Sequence, residues 1–191
     1  MKKLTFVLLL LMIFNAKIFA TPSIYTTQTF YKVTGTTEQE LRNHLNELGP
    51  FSTDKRYDAK TSWHINWSYR WHYDNPTQNP CYITEINVSA NIVTILPEWE
   101  DKDHGSAESQ LKWETYLANL SKHEEGHGNN GKEVATEIEE ALLQIPPMSS
   151  CQILQSTIES TTQGIVKKHN TWDTNYDTST QHGKTQGATF P

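Results

Sequence analysis

The chain has 191 residues and a formal net charge of -6. This length is enough for one domain with a sizeable core. An acidic chain without a cluster of Lys and Arg is a poor match for nucleic acid or an anionic membrane surface, so we expect neither as a partner.

The first twenty residues have the pattern of a secretory signal peptide. Lys2 and Lys3 precede the apolar run LTFVLLLLMIF, and the segment NAKIFA ends at Ala20. This run is shorter than a typical membrane-spanning helix, and no second long apolar run follows in the sequence. We therefore expect cleavage after Ala20, a single mature domain over residues 21–191, no stable membrane insertion, and export to the periplasm or the medium.

Strand and helix patterns alternate in the first half of the chain. Residues 25–33 predict a strand rich in Thr and aromatic residues. A capping box of Thr37 and Glu40 opens a short helix, which Gly49 and Pro50 end. The segment TSWHINWSYRWH at residues 61–72 alternates apolar and polar side chains, and residues 81–96 are its expected hairpin partner.

The second half is predicted to be mainly helical. One helix covers residues 106–144, a second starts at Ser149 or Ser150, and residues 171–191 are expected to form a polar tail. Strands followed by helices favour an α+β fold, with a small antiparallel sheet packed on a helical half. The two cysteines, Cys81 and Cys151, most simply form one disulfide in an oxidising compartment, with free thiols or metal ligands as alternatives.

The stretch HEEGH at residues 123–127 is the chief functional signal. His123 and His127 lie one turn apart on the same helix face, where two imidazoles can bind one zinc ion. Glu124 is then placed to take a proton from a water that zinc activates. The pattern predicts a zincin-like helix and a Zn²⁺-dependent hydrolase. Gly126 weakens a helix, and the sequence GHGNNG allows the helix to end near His127.

A catalytic zinc site needs a third protein ligand. The tail sequence YDTSTQHGKTQG offers His182 as the first choice and Asp177 as the second. Four glutamates that follow the motif are further alternatives, although they are more typical of a solvated helix face: Glu133, Glu137, Glu139 and Glu140.

The chain resembles the bacterial family of predicted secreted zinc-dependent proteases, which is catalogued as a domain of unknown function. The resemblance rests on YKVTG at 31–35, LPEW at 96–99, WETY at 113–116, HEEGH at 123–127 and YDTSTQHGKTQGA at 176–188. It implies that His123 and His127 are zinc ligands and that Glu124 is catalytic, and it favours His182 as the third ligand. Tyr176 would then lie near the metal and donate to an oxyanion.

The leading hypothesis is an exported zinc metallopeptidase that hydrolyses amide bonds of a peptide or protein, with cell-envelope material among the alternatives. A second hypothesis is a non-catalytic cell-envelope binding module with an aromatic recognition face. That face would be formed by Trp63, Trp67, Trp71 and Trp99. A third is a scaffold protein with a closed, structural zinc site.

Overall fold

The computed structural model describes residues 21–52, 55–73 and 80–191, so the expected signal peptide lies outside the described residues. The elements in chain order are β1 (Ser23–Val33), α1 (Glu38–Leu48), β2 (Phe51–Ser52), β3 (Lys55–Arg56), β4 (Lys60–His72), β5 (Tyr82–Trp99), α2 (Ala107–Leu143) and α3 (Cys151–Thr180). Short 3₁₀ turns cover Lys102–His104 and Lys184–Gln186. The α+β class predicted from the sequence is confirmed.

Helix α1 begins where its sequence predicts. The Thr37 hydroxyl accepts a hydrogen bond from the backbone N–H of Glu40, and the Glu40 carboxylate accepts one from the N–H of Thr37. This reciprocal capping box satisfies backbone donors that the first helical turn leaves without partners. Leu41 and Leu45 are fully buried, and Gly49 caps the other end.

The main sheet has the strand order β1-β5-β4. Strands β4 and β5 form the predicted antiparallel hairpin, but β1 runs parallel to β5 along its other edge. The sheet is therefore mixed, and the predicted antiparallel pairing is confirmed for β4 and β5 but is wrong for β1. Two parallel strands need a long connection, and the segment from α1 to β4 connects β1 to β5 here. The alternation of residues along a strand does not indicate which distant strand it will pair with.

Most of the aromatic row on β4 is part of the core. Trp63 and Trp67 are partly buried against an apolar cluster that also contains Ile65, Ile92 and Ile138. A register shift between residues 70 and 71 ends the regular alternation, and the next tryptophan of the row is exposed. The row is thus mainly a packing surface between the sheet and the helices.

Helix α2 runs for 37 residues, which confirms the helix predicted for residues 106–144, and its three glycines do not end it near His127. A Cβ atom at Gly131 would lie 2.7 Å from the Cβ of Trp63. The missing side chain lets α2 approach β4 closely. The packing gained in this way sustains a helix whose intrinsic propensity is low.

Helix α3 extends to Thr180, which corrects the prediction of a polar tail from residue 171. Its sequence is rich in Thr, Ser and Asn, and these residues have modest helix propensity. Its buried residues Leu154, Ile158 and Ile165 belong to the same apolar cluster as residues of α2. After Thr180 the chain turns, and Gln181 and His182 both have left-handed backbone angles, with φ of 52° and 53°.

The predicted disulfide between Cys81 and Cys151 is present and ties the start of β5 to the start of α3. A bond that closes a loop of 70 residues contributes about 4 kcal/mol by the chain-entropy relation. Disulfides of this kind are typical of proteins in oxidising compartments. Across the described ranges, no helix combines the length and the hydropathy needed to cross a membrane.

Candidate metal centre

Helices α2 and α3 face each other with two matching pairs of polar side chains. His123 and His127 are four residues apart on α2, and Asp173 and Asp177 are four residues apart on α3. Residues at this spacing share one helix face. The helices run in opposite directions, so His127 lies beside Asp173 while His123 lies beside Asp177.

Three side chains converge on one point between these helices. Oδ1 of Asp177 lies 3.2 Å from Nε2 of His123 and 3.1 Å from Nε2 of His127. The three atoms all lie within 4.8 Å of one another. In a tetrahedral zinc site with bonds near 2 Å, neighbouring ligand atoms are separated by about 3.3 Å. The spacing of the three atoms therefore suits a small divalent cation.

The other ring nitrogen of each histidine has its own partner. Nδ1 of His127 lies 2.8 Å from Oδ1 of Asp173, and Nδ1 of His123 lies 2.9 Å from Oε1 of Gln186. Trp63 donates a hydrogen bond of 2.8 Å to the second oxygen of Asp173. Partners of this kind fix the tautomer and the ring orientation of metal-binding histidines. Both Nε2 atoms thereby remain directed at Asp177.

Glu124 lies beside this cluster in a buried position, with only 5% of the residue exposed. One carboxylate oxygen, Oε2, is buried and has no hydrogen-bond partner among the described residues. Burial raises the pKa of Glu124 above its ordinary value, although a hydrogen bond with Thr61 and the nearby histidines oppose the shift. A buried carboxylate with an unpartnered oxygen is costly for stability, so its retention here points to a chemical role.

Tyr176 packs behind His123. The two rings are stacked, with centroids 4.9 Å apart, and the ring of Trp172 also stacks on Tyr176, with centroids 4.8 Å apart. The Tyr176 hydroxyl donates to the backbone carbonyl of His123 and accepts from Nε2 of Gln186. This geometry supports a positioning role for Tyr176, whereas its predicted role as an oxyanion donor stays a prediction.

Gly126 gives Tyr176 room to reach α2. A Cβ at this position would lie 2.6 Å from the Tyr176 hydroxyl oxygen and 2.7 Å from the ring, so we expect Gly126→Ala to destabilise the protein by about 1–3 kcal/mol. Gly164→Ala is the matched control, because a Cβ there meets nothing within 4 Å. It should stabilise helix α3 by up to about 1 kcal/mol. Urea unfolding of both variants measures these changes, and equal effects would contradict the packing role of Gly126.

His182 lies at the exposed side of the cluster. Its Nδ1 atom is 3.4 Å from Oδ1 of Asp177, and 44% of its side chain is exposed. Its ring also contacts the ring of Tyr57, with centroids 5.0 Å apart. The geometry favours Asp177, the second choice from the sequence, as the third ligand, and a ligand role for His182 stays a prediction.

The sequence-based reading missed Asp173 and Gln186, which hold the two histidines. Asp173 and Asp177 repeat the four-residue spacing of the histidines. This spacing indicates a shared face only if the segment is helical, and the sequence did not predict a helix there. Of the downstream glutamates, Glu137 pairs instead with Lys168 and His169.

The acid–base properties of the cluster follow from its geometry. Burial alone would lower the pKa of His127, but hydrogen bonds to Asp173 and Asp177 outweigh burial and raise the pKa to about 10. Partial burial would raise the pKa of Asp177, but its bonds to His123 and His127 outweigh this and hold the pKa far below its usual range. Without a metal, Asp177 is therefore an ionised carboxylate between two imidazole rings. Near neutral pH the ring of His127 is a positively charged imidazolium.

A model of one protein family matches most of the chain. The family is described as "Bacterial protein of unknown function (DUF922)", and the match covers residues 28–183. No curated protein and no solved structure gives a match. The matched range includes HEEGH, Asp173, Asp177 and His182, whereas Gln186, the partner of His123, lies just beyond it.

Proposed function

The chain belongs to this bacterial family, and from the site itself we propose that it is a zinc-dependent hydrolase that cleaves peptide bonds, built on a zincin-like helix. The observation that carries the proposal is the convergence of His123 Nε2, His127 Nε2 and Asp177 Oδ1 beside a buried glutamate with an unpartnered oxygen. Two neutral imidazoles and one carboxylate form a donor set that suits Zn²⁺.

The residues of this chain have separate roles in the proposal. His123, His127 and Asp177 would hold the ion, while Asp173 and Gln186 keep the imidazoles in the tautomer that offers Nε2. When bound, zinc acts as a Lewis acid and lowers the pKa of a coordinated water towards neutrality.

Glu124 supplies the proton transfer. Its unpartnered Oε2 can accept a proton from a water at the site, and its raised pKa suits the protonated acid to donate to a leaving amine. Much of the site is shielded from bulk solvent, since His123, Glu124 and His127 are at most 8% exposed. Removal of water from around such a carboxylate strengthens its interaction with a developing positive charge.

Export is also part of the proposal. It is supported by the signal-peptide pattern of residues 1–20 and by the disulfide between Cys81 and Cys151.

The direct test of the function is metal content and hydrolysis of unstructured peptides by the protein expressed from residue 21. We expect about one equivalent of zinc and an activity that a chelator removes and zinc restores. A protein that retains no divalent metal would overturn the proposal.

Zinc binding should release a proton. Below its pKa of about 10, metal-free His127 is an imidazolium with a proton on each ring nitrogen. A ligand nitrogen must lose its proton before it can bind the metal. Zinc affinity should therefore rise by about tenfold per pH unit between pH 7 and pH 9, and fall as the pH is lowered. Titration calorimetry in buffers of different ionisation enthalpy measures the release. Heats that do not depend on the buffer would contradict this account of the cluster.

A further inference from the structure

Strand β4 and helix α3 line a cavity of about 410 Å³ that is open to solvent and that the metal cluster does not use. Its base is apolar and half-buried, formed by Trp67 and Val166. Its rim consists of exposed polar residues of α3 and includes one basic side chain and no acidic one. The rim residues are Gln163, Lys167, Asn170, Thr171 and Thr174. An apolar base with a polar, acid-free rim suits a large uncharged side chain better than a cationic one.

The cavity and the metal cluster lie along the same helix and the same strand. Asn170 and Thr174 precede Asp177 by seven and three residues, so the three side chains share one face of α3. The rise of an α-helix places Asn170 about 10 Å from Asp177 along the helix axis.

Strand β4 shows the same continuity. Thr61, Trp63 and Trp67 point to one face, because side chains on a strand alternate. Thr61 bonds to Glu124, Trp63 donates to Asp173, and Trp67 forms the base of the cavity. The cavity therefore lies next to the metal cluster, along the same strand and the same helix.

An extended peptide fits this arrangement. Within the described ranges β4 pairs with β5 alone, so its other edge has backbone groups that can bond to an added chain. Successive residues of such a chain advance by about 3.3 Å, and two or three of them span the distance from the cluster to the cavity. We propose that the cavity at Trp67 and Val166 is a specificity subsite for a large apolar or aromatic side chain of an extended peptide substrate. That side chain lies two or three residues from the bond that is cut. This proposal rests on the proposed peptidase function.

The test is a cleavage profile of a mixed peptide library, read by mass spectrometry. We expect a large apolar or aromatic residue at one position, two or three residues from the cut. Asn170→Trp fills the cavity from its exposed rim and should lower kcat/KM for these peptides by about 10- to 100-fold, while peptides with Gly at that position are cut as before. Ser156→Trp, an exposed position two turns from the cavity on the same helix, should change neither value. A preference that Asn170→Trp leaves intact would overturn the proposal.

A binding measurement separates failure of the subsite from failure of the function. The zinc-loaded Glu124→Gln protein is used to select peptides from the same library. Selection of peptides with a large apolar residue, lost in a variant that also carries Asn170→Trp, supports the subsite even if the wild-type protein cuts nothing. Cleavage without positional preference overturns the subsite alone. Absence of both cleavage and selection overturns both proposals.

Discussion

Replacement of Glu124 by Gln is expected to lower kcat for peptide hydrolysis by about 10²- to 10⁴-fold while the zinc content stays near one equivalent. The amide has nearly the same size as the carboxylate, so the packing beside Thr61 is preserved. It cannot accept a proton, however, and the reaction loses its base. Glu124 lies outside the group of converging ligand atoms, which is why the metal should remain.

Glu125→Gln is the matched control for this experiment. Glu125 is the next residue on the same helix and is exposed, so the same loss of charge at this position should leave kcat within about twofold. Steady-state kinetics and metal analysis of the two variants give the comparison. Equal activity of Glu124→Gln and the wild-type protein would show that another group moves the proton.

Replacement of Asp177 by Ala should remove zinc binding, whereas replacement of His182 by Ala should leave most of it. Asp177 contacts both Nε2 atoms through one oxygen, while His182 approaches the cluster through Asp177 and is half exposed. Loss of one of three ligands lowers affinity far more than loss of a neighbour outside the ligand set, for which a 10- to 100-fold change is typical.

The pair of variants decides between the two choices for the third ligand. Zinc affinity is measured by competition with a chromophoric chelator, and circular dichroism checks that each variant is folded. If His182→Ala loses zinc while Asp177→Ala keeps it, the preference drawn from the sequence stands and the assignment drawn from the geometry fails.

Local features of the fold were readable from the sequence because they depend on near neighbours. The capping box of Thr37 and Glu40 and the alternation of Trp63, Ile65 and Trp67 each involve residues a few positions apart. The disulfide was also predictable, since only one pair of cysteines exists.

Features that depend on tertiary packing were not readable. The parallel pairing of β1 with β5 joins segments more than sixty residues apart in the chain. Helix α3 contains many Thr, Ser and Asn residues that favour other structures locally, and its burial against α2 overrides that preference. The glycines of α2 allowed an end near His127, but the helix continues through them. Their cost to the helix is offset by the close approach of Trp63 and Tyr176.

The candidate site divides along the same line. His123, Glu124 and His127 lie within five residues, and their spacing alone predicted their chemistry. Asp173 and Gln186 act on those histidines from another helix and from the turn that follows it. Their contribution depends on the packing of the two helices against each other, and no local sequence pattern links residue 127 to residue 173.

A crystal structure of the zinc-soaked protein, with the ion located by anomalous scattering at the zinc edge, would show whether these three side chains bind zinc. We expect one strong peak within about 2.0–2.2 Å of His123 Nε2, His127 Nε2 and Asp177 Oδ1, with Glu124 near the remaining open position. A zinc-free pocket between α2 and α3, or an ion held only by other residues, would contradict it.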